Sequence, residues 1–164
     1  MLKIFISHST KDHKLVTVLE VYLKLKGILV YIAESDCQVG RSLSSKIIEN
    51  LEKSDYFLVL YTNRGKESIF VNQEIGYWIK GHGFTNFIPL VEKGIIPEGF
   101  LSGREYFEID PKSHNIGLDD TINYLEQKKK ENEIGFLGYN IVLGLGLLGL
   151  VVLILYGIYK VVKE

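Results

Sequence analysis

The sequence predicts an α/β protein with a doubly wound parallel sheet, followed by one C-terminal transmembrane helix. Three observations support this fold class. Short apolar segments alternate with segments whose apolar residues recur at helical spacing. The first apolar segments are almost continuously hydrophobic, which is typical of strands covered on both faces. The segment 134–159 contains no charged residue, and a helix of that length measures about 39 Å, enough to cross a bilayer core of ~30 Å.

Length and composition divide the chain into one domain and a short appendage. The 164 residues carry a net charge of −1, so no surface for nucleic acid is expected. We place a domain over 1–130 and a juxtamembrane and transmembrane part over 131–164. Cys37 is the single cysteine, which excludes an intrachain disulfide and is typical of a reducing compartment. The first residues turn polar too soon for a signal peptide.

Five strands are predicted from short apolar runs. Pro89 is unexpected in the fourth run, because proline cannot donate to a strand ladder. We therefore expect Pro89 at a bulge or near an edge of the sheet. The predicted strands are 3–7, 28–33, 56–61, 87–91 and 106–109.

Four helices are predicted in the domain from apolar residues at helical spacing. The first begins at a cap on Ser9 or Thr10 and ends at about Lys26, where Gly27 stops it. The polar segments 34–41 and 62–67 are predicted as loops. The other three helices are centred on the apolar positions 43, 47, 48 and 51, on 68–80, and on 118 to about 130.

Glu74 lies on the apolar side of the helix predicted over 68–80, for which Ser68 is the expected N-cap. A charge in that position costs several kcal/mol unless it is paired, hydrogen-bonded or next to a cavity. Glu74 is therefore either a structural carboxylate, which caps a backbone or pairs with a basic side chain, or a catalytic carboxylate in a cleft. The other residues on this side are Phe70, Val71, Ile75, Trp78 and Ile79.

Three loops are expected to meet at one edge of the sheet. They cover 7–12, 34–42 and 62–68, and each follows a predicted strand. In doubly wound sheets, ligands bind at the carboxyl ends of the strands, near the point where the strand order reverses. The last of these loops leads into the Glu74 helix, so we expect Glu74 close to a cleft.

Several other motifs do not carry chemistry. The segment 144–149 matches G-x-G-x-x-G, but it lies inside the predicted transmembrane helix and follows no strand. The sequence around Gly65 and Lys66 lacks the residues that a phosphate-binding loop requires. The four histidines lack metal-ligand spacing, so no metal site is expected. His8 is the one histidine that falls in a loop at the expected cleft.

Three segments carry a resemblance to a known family. The segment 3–12, with Ser-His-Ser after the first strand, resembles the first box of Toll/interleukin-receptor (TIR) domains, and 54–61 is similar to their third strand. The segment 68–74 resembles the Ser-x-Trp-x-x-x-Glu signature of prokaryotic NAD-consuming TIR domains, with Phe70 in place of the usual Trp. The loop 34–41 lacks the Arg-Asp…Pro-Gly of animal adaptor TIR domains. The resemblance covers about residues 1–130 and implies a flavodoxin-like fold.

This resemblance implies that the chain is an NAD nucleosidase, with or without cyclase activity. NAD is then the substrate, and no separate cofactor is implied. Glu74 is the implied catalytic residue, Phe70 is expected to pack against the substrate, and Arg41 is expected to meet a phosphate. The residues implied for substrate binding are Ser7, His8, Ser9, Gly40, Arg41, Ser68 and Phe70.

The resemblance also implies partners. These are NAD, other copies of the TIR domain, and a downstream effector that senses a nucleotide product. The predicted helix adds a lipid bilayer and places the TIR domain on the cytoplasmic side. The resemblance implies a role as a prokaryotic immune or stress effector. Two alternatives stay open: a membrane-bound scaffold that acts through TIR–TIR contacts without turnover, and a sensor that binds a nucleotide without cleaving it.

Overall fold

The structure, a computed structural model, describes the backbone of 1–33, 43–110 and 117–163. Within these ranges, the side chains at 43, 44, 141, 142, 147, 149 and 151–163 are not described.

Five strands form one parallel sheet in the order β2-β1-β3-β4-β5. This order and the parallel pairing confirm the doubly wound prediction, and each predicted strand is present within one or two residues of its expected bounds. The strands are β1 (Lys3–Ser7), β2 (Leu29–Ile32), β3 (Tyr56–Tyr61), β4 (Phe87–Glu92) and β5 (Phe107–Ile109).

The described residues include five α-helices. The helix predicted from 118 to about 130 and the helix predicted over 134–159 form one continuous helix, and one helix was not predicted. The additional helix is a single turn in the predicted loop 62–67. Thr62 caps it, because its Oγ1 accepts hydrogen bonds from the backbone N–H groups of Arg64 (3.1 Å) and Gly65 (2.9 Å). One turn is too short to produce a periodic pattern. The helices are α1 (His13–Leu25), α2 (Leu43–Glu52), α3 (Asn63–Lys66), α4 (Ile69–His82) and α5 (Leu118–Lys163).

The two faces of the sheet are covered by different helices. Ile4 and Ile6 of β1 belong to a buried cluster with α1 and the first two turns of α5, whereas Phe5 belongs to a cluster with α2 and α4. This alternation follows from the two-residue period of a strand. Because β1 leads to α1 on one face and β3 leads to α4 on the other, the strand order reverses between β1 and β3.

We expected Pro89 at a bulge or near an edge of the sheet. It lies instead in β4, which has a neighbouring strand on each side. On one side it is in register with Val59 of β3. On the other side β5 pairs with β4 only from Leu90 onward. The absent N–H of Pro89 is tolerated because the ladder with β5 begins one residue later.

The chain divides into two compact units, Met1–Gln127 and Lys128–Glu164. In the part of the chain that the structure describes, no helix combines the length and the apolar character needed to cross a membrane. The transmembrane helix predicted over 134–159 is therefore not supported. The side chains of 151–159, on which that prediction partly depends, lie outside the described residues.

Candidate functional site

The helix α4 positions Glu74 against the sheet. Ser68 caps the helix as predicted, because its Oγ accepts a hydrogen bond from the backbone N–H of Val71 at 3.4 Å. The residues of α4 that are buried are Val71, Glu74, Ile75 and Trp78, so the predicted buried side is largely confirmed. Phe70 is not part of the buried side that the helical period predicted, since 67% of its surface is exposed. It lies in the first turn of α4 and lines cavities instead of packing in the core.

Ser7, the last residue of β1, holds the Glu74 carboxyl. The Ser7 hydroxyl donates a hydrogen bond of 2.5 Å to Oε2 of Glu74. Both side chains are buried, with 1% of Ser7 and 9% of Glu74 exposed. No salt bridge to Glu74 is found within the described residues, so the structural alternative of a paired carboxylate has no support there.

Burial raises the pKa of the Glu74 carboxyl from its ordinary value of 4.5 to about 7, and the hydrogen bond from Ser7 opposes this rise. The charged form loses hydration in a buried position, whereas a donated hydrogen bond favours it. Near neutral pH, Glu74 is therefore present in both protonation states. Its ionised form can accept hydrogen bonds and stabilise a positive charge in an adjacent ligand.

Glu74 borders two cavities. The α2 cavity has a volume of about 400 Å³ and lies against Ile47, Leu51, Phe70, Gln73, Glu74 and Tyr77. The β1-loop cavity has a volume of about 240 Å³ and lies against His8, Ser9, Thr10, Ser68, Phe70 and Glu74. Because Phe70 and Glu74 border both, a ligand in either cavity can reach the carboxyl. The expectation that Glu74 lies next to a cleft is thus confirmed.

Most of the predicted site residues lie together around Glu74. His8, Ser9, Ser68 and Phe70 line the β1-loop cavity. Ser7 contacts Glu74 and is not among the residues that line either cavity, and its part in substrate binding stays a prediction. Gly40 and Arg41 lie outside the described residues.

Two hydroxyls of the site also cap helices. Ser9 caps the 3₁₀ turn Thr10–Asp12 by accepting from the backbone N–H of Lys11 at 3.4 Å, and Ser68 caps α4. Side chains that cap the N-terminus of a helix in this way have fixed positions, which favours a preformed wall.

Sequence reasoning did not find Tyr77, Gln73 or Ile47, which line the α2 cavity. Tyr77 lies one turn after Glu74 on the same helix, and its hydroxyl donates a hydrogen bond of 2.7 Å to Oε1 of Glu52 at the end of α2. This bond links the two helices that form the walls of the cavity. The sequence contains one indication of this position: Tyr77 follows Glu74 by three residues, a spacing that places two side chains on the same face of a helix.

The first and third of the three predicted loops do meet at the carboxyl edge of the sheet. The hydroxyl of Thr62 donates a hydrogen bond of 2.5 Å to Oδ2 of Asp12. The guanidinium of Arg64 donates a hydrogen bond of 2.7 Å to the carbonyl oxygen of Lys11. The second loop, 34–42, lies outside the described residues.

Comparisons with known proteins assign this architecture to a family. A family model described as "TIR domain" matches residues 4–121. A protein named NAD(+) hydrolase ApTIR, from Actinoplanes sp., is 29% identical over 69 residues, which are 42% of this chain and 10% of that protein. The chain therefore spans about a tenth of the length of this relative.

Two solved structures have a similar fold. The TIR domain of the Toll-related receptor TRR-2 from Hydra magnipapillata has a TM-score of 0.59 and 14% identity, over 80% of this chain and 96% of that one. The CMP N-glycosidase BcmB from Clostridium botulinum has a TM-score of 0.52 and 16% identity, over 73% of this chain and 97% of that one. At these identities the similarity concerns the fold alone.

Proposed function

The chain belongs to the TIR domain family, and from that premise we propose that it cleaves the nicotinamide–ribose bond of NAD. The observation that carries this proposal is the buried carboxyl of Glu74, held by Ser7 and open to two cavities that share an aromatic side chain. The distant relative whose name describes an NAD(+) hydrolase supports the same substrate.

A single carboxylate is sufficient for this reaction. Most glycoside hydrolases need two carboxyl groups, because the leaving oxygen must be protonated. The nicotinamide of NAD is cationic and departs neutral: the bond between ribose C1′ and the ring nitrogen breaks, and its electron pair goes to nicotinamide. Water then adds to C1′ and releases a proton, which yields ADP-ribose. The ionised Glu74 stabilises the positive charge that develops on the ribose.

The walls of the two cavities suit the parts of this substrate. Phe70 and Tyr77 offer aromatic faces for a planar base. Ser9 and Ser68 offer hydroxyls in the β1-loop cavity, next to the carboxyl that would accept hydrogen bonds from the ribose. Gly40 and Arg41 remain predictions as substrate-binding residues, because they lie in the loop that the structure does not describe.

Self-association is a second part of the proposal. Contacts between TIR domains would raise activity by completing or fixing the site, as the family resemblance implies. Specific activity that rises with protein concentration, together with a matching shift in sedimentation, would support this part. A constant specific activity over a dilution series of a monomeric protein would contradict it.

The test of cleavage uses the purified full chain. Incubation with NAD, followed by chromatography, should release nicotinamide together with ADP-ribose or its cyclic isomer. The Glu74→Gln variant keeps the shape of the side chain and should lose this activity. Glu67→Gln is the matched control, because Glu67 is an exposed carboxylate just before α4.

Two results would overturn the cleavage proposal: no consumption of NAD by the wild type at any concentration, or full activity in Glu74→Gln. A variant that consumes no NAD and retains a cellular phenotype would favour the scaffold alternative.

The cellular location is a separate prediction from the sequence, in which 134–159 holds the domain at the cytoplasmic face of a membrane. Alkaline carbonate extraction of a membrane fraction that contains the full chain tests this prediction. Its outcome does not affect the proposed chemistry.

A further inference from the structure

A second cleft lies at the carboxyl edge of the sheet, and none of the described residues that line it also lines the two cavities at Glu74. It has a volume of about 830 Å³. We call it the switch cleft, because it lies between the segments that follow β1 and β3, where the strand order reverses. The residues that define it are Lys11, Asp12, Lys14, Thr62, Arg64 and Glu92.

The switch cleft carries more cations than anions. Lys11, Lys14 and Arg64 face two carboxylates, Asp12 and Glu92. Both carboxylates are already bound by the protein. Asp12 accepts from the hydroxyl of Thr62 at 2.5 Å and lies 3.7 Å from Arg64. Glu92 accepts from the backbone N–H of Asn63 at 2.9 Å.

Unlike the two carboxylates, two of the cationic side chains are not bound by described residues of the protein. Lys11 and Lys14 are exposed, and neither side chain forms a hydrogen bond or an ion pair with any residue that the structure describes. His13 also lines the cleft. The net charge available to a ligand is therefore positive.

The N-terminus of α1 adds a further attraction for anions. His13, Lys14 and Leu15 form its first turn, and all three line the cleft. The preceding residue, Asp12, makes no side-chain hydrogen bond to this turn. The backbone N–H groups at the start of a helix and the helix dipole both favour a negative charge at that position.

From this combination we propose that the switch cleft binds the phosphate groups of a nucleotide, as a site separate from the cavities at Glu74. Its volume lies within the range of small-molecule sites. The lysine side chains would pair with phosphate oxygens. Arg64 donates one hydrogen bond to the carbonyl oxygen of Lys11, and its other N–H groups can donate to phosphate. The 3₁₀ turn Thr10–Asp12 separates the sites: Thr10 borders the β1-loop cavity, and Asp12 borders the switch cleft.

Calorimetric titration of the full chain with inorganic pyrophosphate and with ADP tests the proposal without any need for turnover. The double variant Lys11→Gln/Lys14→Gln should weaken the binding of both probes by about tenfold, because two charge-assisted contacts are lost. Added salt should weaken binding to the wild type, as it does for exposed charges. Lys80→Gln, an exposed lysine on α4, should bind as the wild type does.

The control for location is Phe70→Ala, which alters both cavities at Glu74 and leaves the switch cleft intact. We expect it to leave the affinity for pyrophosphate unchanged. The proposal is overturned if neither probe binds the wild type, if the lysine pair can be replaced without effect, or if Phe70→Ala instead abolishes binding. None of these results bears on NAD cleavage, so the two proposals can fail independently.

Discussion

The hydroxyl of Ser7 donates a hydrogen bond to Oε2 of Glu74 across 67 positions of the chain. This bond joins the carboxyl end of β1 to the buried side of α4. It gives the ionised form of a buried carboxyl one partner, while the burial itself favours the protonated form. The balance between these two effects determines what fraction of the Glu74 carboxyl is ionised near neutral pH.

The cleavage of NAD should depend on pH through Glu74. The carboxyl must be ionised to stabilise a positive charge, and burial raises its pKa to about 7. We therefore expect kcat/KM, which reports the ionisation of the free enzyme, to rise with pH through about 7 and to level off above it. Initial rates over a range of buffers at constant ionic strength measure this profile. A rate that stays constant from about pH 5 to about pH 9 would exclude this role for Glu74.

Ser7→Ala should move that profile to higher pH. Removing the donor leaves the charged carboxyl without its hydrogen bond, so the pKa of Glu74 rises further. Activity near pH 7 should fall by about tenfold and recover at higher pH, since a hydrogen bond to a charged group contributes more than 1 kcal/mol.

A loss of activity in Ser7→Ala with an unchanged pH midpoint would mean that Ser7 is only structural. Ser102→Ala, at an exposed serine, is the matched control and should show the wild-type profile.

Glu74→Gln should stabilise the fold at high pH, although it removes activity. The folded-state pKa of about 7 exceeds the ordinary value of 4.5, so the protonated carboxyl contributes stability that is complete below 4.5 and is lost as the pH rises through about 7. An uncharged glutamine avoids this loss. At about pH 8 we expect the variant to be more stable than the wild type by up to about 3 kcal/mol.

Urea unfolding at about pH 5 and about pH 8 measures this difference, which should be much smaller at the lower pH. The exposed Glu67→Gln variant should match the wild type at both. A Glu74→Gln variant that is less stable than the wild type at about pH 8 would refute the interpretation of Glu74 as a destabilising buried charge.

Phe57 is the centre of the aromatic packing under α4. Its ring lies 5.7 Å from that of Phe5, 5.4 Å from Trp78 and 5.5 Å from Phe87, between ring centroids, and the side chain is fully buried. Phe57→Ala should lower the free energy of unfolding by about 3–5 kcal/mol, through lost burial and the cavity left behind. Chemical denaturation measures this loss.

Phe70→Ala is the comparison for Phe57→Ala, because 67% of Phe70 is exposed. It should change stability little and affect substrate binding instead. Equal losses of stability in the two variants would contradict the assignment of one ring to the core and the other to the site.

Much of the fold was predictable because its signals are local. The apolar runs identified all five strands, and the period of the helix identified Glu74 as a charge on a buried side. The cap on Ser68 was predictable for the same reason, since it involves residues three positions apart. The one-turn helix α3 was not, because four residues contain no period.

The sequence by itself determined the order of the strands and of the longer helices along the chain, the position of Glu74 on α4, and the edge of the sheet where a site would form. Only the tertiary structure decided that Ser7 binds Glu74 and that Tyr77 links α4 to Glu52 of α2. These relationships join residues far apart in the chain. Their geometry depends on how the helices pack on the sheet, and periodicity along one segment contains no information about the distance to another.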